Sequence, residues 1–95
     1  MKYEVIFVRK EEIWAIPSAQ AKAFFQQQPD VNDLAQGFRF AGCSITVTEL
    51  PPRGEGFWCM PQTKITMEGL EEELNQIYRR FFVQFISAGG LTGGI

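Results

Sequence analysis

Cys43 lies between Gly42 and Ser44, small neighbours that give a thiol the local freedom a nucleophile uses. Thiol chemistry also needs a base. The chain has no histidine, so an acid or base must come from carboxylates, lysines or tyrosines. None stands at a spacing that marks it as a partner of Cys43, and a cysteine opening an amphipathic strand is ordinarily a core residue. Glu71, Glu72 and Glu73 offer carboxylates in number, but consecutive helical residues point about 100° apart and do not converge on one ion. Glu68 and Glu72 share a helical face with no second carboxylate pair opposite. Phosphate cradles place glycines between a strand and a helix. Here Gly54 and Gly56 fall in a hairpin loop, and Gly89, Gly90, Gly93 and Gly94 follow the last helix. Without histidine, Cys43 and Cys59 exclude a mononuclear zinc site built from this chain alone, and both are expected to be buried, reduced, apolar residues. No catalytic, cofactor-binding or metal-binding residue is expected, and the chain reads as a non-enzymatic protein.

Binding chemistry is better represented. Phe82, Val83 and Ile86 project away from the main apolar stripe of the last helical segment, and Trp14 and Trp58 are further apolar residues expected at the surface. Surplus apolar surface of this kind marks a protein partner. Phe82, Val83, Ile86 and Trp58 are therefore the expected partner-binding residues, and two-fold pairing of the last helix into a homodimer is the expected mode. The alternative is a nucleic-acid-binding module. It would use Arg53 at the tip of the loop over residues 51–56 with Arg79 and Arg80, because cations beside aromatic platforms hold single strands.

The elements that must position these residues follow from periodicity. Residues 67–86 read as one amphipathic helix: Leu70, Leu74, Ile77, Tyr78, Phe81, Phe85 and the following Ala88 fall in one stripe. Three acids in its first turns suit the helix macrodipole. Residues 2–9 and 12–16 read as two strands of a hairpin broken at Lys10 and Glu11, with the first an inner strand because both its faces are apolar. Ser18 is a plausible N-cap for a helix to Gln28, anchored by Phe24 and Phe25 and closed by Pro29. Residues 30–37 fit a short helical turn, residues 38–50 a half-exposed strand, and residues 51–56 a loop. A return strand over residues 57–67 carries a bulge or edge position at Pro61.

The expected fold is α+β: an antiparallel sheet of about four strands with both helices on one face, in ββα-ββα order. A ferredoxin-like βαββα arrangement lacking its final strand is the alternative if residues 2–16 form one bent strand. Residues 1–88 form the expected single domain. The end of the chain, Leu91-Thr92-Gly93-Gly94-Ile95, resembles the Leu-x-Gly-Gly termini of ubiquitin-like modifiers over five residues. A long helix rather than a strand precedes it, so residues 89–95 are read as a flexible glycine-rich tail.

With 95 residues, 45% hydrophobic and 21% charged, the chain has ordinary globular composition and enough length for one core. A net charge of −2 gives no general pull toward nucleic acid or anionic lipid. Neither a secretory leader nor a membrane span is legible, which gives a cytoplasmic expectation and no membrane partner. The sequence thus reads as a small adaptor or regulatory domain that binds another protein.

Overall fold

The computed structural model describes residues 6–86. Its elements are β1 (Phe7–Trp14), α1 (Ser18–Gln27), β2 (Val31–Leu34), β3 (Gly37–Phe40), β4 (Cys43–Glu55), β5 (Trp58–Leu70) and α2 (Glu71–Ile86). The strands form one antiparallel sheet in the order β1-β5-β4-β3-β2. Both helices cover the same face through a single core, so the fold is the expected α+β class with five strands rather than four. The ββα-ββα order is not found. Residues 7–14 do form one strand, as the ferredoxin-like alternative requires, and β5 lies between β1 and β4. The β2-β3 hairpin belongs to neither expected order.

The burial pattern of β5 explains why it occupies the centre. Thr63, Ile65, Met67 and Gly69 alternate inward, and the residues between them face outward. Strand pairing therefore continues to Leu70, opposite Phe7, and takes the first four residues expected in the helix. The Gly69 backbone approaches so closely to Cys43 across the sheet that a side chain there would meet the Cys43 Cα. α2 begins only at Glu71, whose N–H donates to the Ile6 carbonyl at 2.9 Å.

β1 is an edge strand rather than an inner strand of a hairpin. Val8, Lys10, Glu12 and Trp14 turn toward the helices, while Phe7, Arg9, Glu11 and Ile13 lie on the uncovered face. The charged residues taken for a turn survive within the strand because they have partners. Lys10 Nζ sits 4.3 Å from the Tyr78 ring centroid, and Arg9, Glu11, Lys64 and Glu68 link across the open face.

Ser18 is the first residue of α1 rather than its cap: Pro17 holds the N-cap position without a side-chain cap bond, and its carbonyl accepts the first helical N–H groups, those of Gln20 and Ala21. The segment expected as a helical turn forms β2, paired from Val31 to Leu34 with β3. Residues 38–50 are divided by a turn at Ala41 and Gly42. Phe81 is the hub of the core, 5.0 Å from Trp14, 5.4 Å from Phe25 and 4.7 Å from Phe85 between ring centroids. The buried Thr63 hydroxyl is satisfied by the Ile16 carbonyl at 2.6 Å. Residues 87–95, with Ala88 and the expected tail, lie outside the described residues.

Candidate functional site

β4 and β5 each run 13 residues, but their neighbours are shorter. β1 ends with Trp14 opposite Thr63, and β3 pairs with β4 only from Cys43 to Ile45. Beyond Leu50 and Gln62 the two strands continue as a ribbon with no third strand, an arm about 20 Å long at the usual rise per residue. The Cα radius of gyration, 14.4 Å, exceeds the roughly 12 Å of a compact chain of this length accordingly.

The sequence of the arm accounts for its shape. Leu50 pairs with Gln62 and Arg53 with Met60, so Pro51 and Pro52 stand against the single residue Pro61 and form a bulge. Proline lacks a ladder donor and is tolerated where no further strand needs one. A bulge does fall at the level of Pro61, but its extra residue is on β4 rather than on the return strand, and the loop over residues 51–56 is corrected: residues 53–55 are paired, and the turn contains only Gly56 and Phe57. Gly56 has φ +63, suiting the first central position of a type II′ hairpin turn, where glycine avoids steric cost. Arg53 is thus three residues back from the tip.

Phe57 at the tip is fully exposed and Trp58 is 69% exposed. Trp58 faces Glu55 across the ribbon and Met60 faces Arg53, and these four residues with Gly54 line one open concavity. Among the described residues neither Arg53 nor Glu55 takes part in an ion pair. Cys59 lies on the arm with its thiol exposed, contrary to the expectation that both cysteines are buried. It escapes burial because the helices cover only the body of the sheet. Cys43 is fully buried, and desolvation pushes its thiol up to about 11, which keeps it protonated at neutral pH.

The other residues singled out in the sequence lie elsewhere. Trp14, expected at the surface, is 0% exposed and central to the core, with its indole N–H donated to Glu12 at 3.1 Å. Phe82 packs half-buried against Trp14 and Tyr78 at centroid distances of 5.9 Å and 5.8 Å. Ile86 is partly covered and Val83 is 59% exposed. The surplus apolar face of α2 is therefore smaller than its sequence suggests. Arg80 makes a bidentate pair with Asp30 at 2.8 Å and 3.0 Å, which holds the Asp30 carboxyl below the usual aspartate range, and its guanidinium lies over the Phe40 ring. Arg79 lines a shallow surface with Asn75, Gln76 and Arg80. Arg53 shares a concavity with Trp58 but not with either helix arginine.

Met60 and Glu55 were not singled out by sequence reasoning. The available signal was Gly56 followed by a residue other than glycine, the pattern of a two-residue II′ turn, which would have made residues 53–55 and 58–60 facing strands. Among the described residues no cluster of three or more histidine, cysteine or acidic side chains could hold a metal ion, and no helix is long and apolar enough to cross a membrane. No protein-family model, curated protein or solved structure matches the chain.

Proposed function

We propose that this chain is a non-enzymatic protein-binding domain of adaptor or regulatory type, with the β4-β5 arm as its contact element. The observation that carries this reading is the placement of Phe57 and Trp58 on a ribbon outside the core. A buried aromatic side chain contributes roughly 1.5–3 kcal/mol to folding, a contribution that Phe57 forgoes entirely and Trp58 for the most part in the isolated chain. Trp is also the residue most enriched at the energetic centre of protein interfaces, with arginine close behind, and Arg53 stands beside it. Val83 and Ile86, at the far end of α2, belong to a secondary apolar surface on this reading.

Affinity capture from the native host, comparing the intact chain with the Phe57→Ser, Trp58→Ser double variant, tests the proposal. Loss of the captured proteins by a variant with unchanged circular dichroism is the expected result. Equal capture by both chains would refute it. The juxtaposition of Arg53 with Trp58 also favours a weaker second reading, a single-stranded nucleic-acid platform, although Glu55 in the same concavity repels phosphate. That reading requires oligonucleotide binding that weakens steeply with salt.

A further inference from the structure

We infer that the occupant of the Trp58 face of the arm is a second copy of this chain, held by two-fold, face-to-face pairing of the β4-β5 arms. The inference rests on the reading of the arm as the contact element and names its partner. Arg53 and Glu55 stand two residues apart on β4, on one face, about 7 Å along the strand at the usual rise. Neither is engaged in an ion pair among the described residues. One cation and one anion at a fixed spacing along a strand make a surface that complements its own image. A two-fold axis lying between the faces and perpendicular to the strands reverses the strand direction. It sets Arg53 over Glu55 of the second copy and Glu55 over its Arg53.

The same operation treats the apolar pair equally well. Trp58 stands across from Glu55 and Met60 across from Arg53, so each Trp58 falls over Met60 of the second copy. Sulfur against an aromatic ring is a favourable contact, and Met adapts its shape to the concavity it fills. An unrelated partner would have to supply this alternation of charge and apolar bulk independently, whereas a second copy supplies it by symmetry. Edge-to-edge strand addition is disfavoured because Pro51, Pro52 and Pro61 remove ladder donors where the arm leaves the sheet. Pairing through the faces, as in stacked sheets about 10 Å apart, remains open.

Sedimentation equilibrium of the full chain, at the highest concentration that stays in solution, reads the assembly directly. The intact chain is expected at twice its 10.8 kDa mass. Arg53→Glu and Glu55→Arg are each expected to weaken self-association by about ten-fold or more, because each places like charges opposite one another. An equimolar mixture of these two variants, and the chain carrying both substitutions, should regain the dimer. A monomeric intact chain, a dimer indifferent to both single reversals, or a mixture that stays monomeric overturns the inference. In those cases, continued loss of capture by the Phe57→Ser, Trp58→Ser variant leaves the arm as a contact element for another protein. Retained capture removes both readings.

Discussion

Tyr78 on α2 donates its hydroxyl to Glu12 on β1 at 2.8 Å, and the same carboxyl oxygen accepts the Trp14 indole N–H. This bridge joins the edge strand to the long helix and gives one acceptor to two donors, one on the buried Trp14 and one on the half-buried Tyr78. Leaving such donors without a partner costs about 1–3 kcal/mol. Glu12→Ala is therefore expected to lower unfolding stability by that amount, measured by urea titration.

The bridge also sets a direction at alkaline pH. Burial first, and then the Glu12 hydrogen bond, hold the Tyr78 hydroxyl well above its ordinary range. The unfolded chain releases this proton earlier than the folded chain does. The Tyr78 contribution to stability is consequently flat below the ordinary tyrosine pKa of about 10 and is lost as pH rises beyond it. Tyr78→Phe should abolish that part of the alkaline loss in a comparison of thermal midpoints, and an unchanged alkaline limb would contradict the assignment.

Phenylalanines in the body and on the arm should answer mutation in opposite ways. Phe81, in contact with four other aromatic rings, is expected to cost about 3–5 kcal/mol on conversion to alanine. Phe57→Ser should stay within roughly 0.5 kcal/mol of the parent, since the side chain touches nothing that folding buries. Denaturant midpoints of the two variants decide the matter.

Gly54 is held at φ +130 opposite Cys59, where a Cβ would collide with the Trp58 carbonyl oxygen. Gly54→Val should therefore open the arm without unfolding the body. Amide hydrogen exchange should accelerate at residues 53–60 while residues 63–70 keep their protection. Equal loss of protection in both segments would show that the arm and the body unfold as one unit.

Legibility in the sequence followed the sidedness of burial. The stripe Leu74, Ile77, Phe81 and Phe85 was readable because a helix on a sheet buries one face, and Phe24 with Phe25 anchors α1 for the same reason. The junction at Gly69 and Leu70 was hidden because Leu70 and Leu74 continue the helical spacing across the strand's end. Lys10 and Glu11 looked like a turn, since their partners are distant in the chain: the Tyr78 ring lies beneath Lys10, and Thr66, which donates to Glu11, is 55 residues beyond it. β2 forms from turn-favouring residues because Phe38 and Phe40 give it a neighbour to pair with. At the candidate site, Trp58 and Arg53 were legible by residue type. The arm that joins them was not, because prolines that break a ladder inside a sheet are acceptable in a ribbon without a third strand. Phe82 and Trp14 looked like surface residues and instead cover each other.

The arm as contact element is tested most directly by removing it. Leu50 and Gln62 are directly paired, so Asn-Gly in place of residues 51–61 closes a tight hairpin at the rim of the sheet. Capture of host proteins by this shortened chain, alongside the intact one, is the deciding measurement, with near-ultraviolet circular dichroism of Trp14 confirming the body. A folded chain that captures nothing is the expected result. A folded chain that captures the same proteins as the parent would contradict the account.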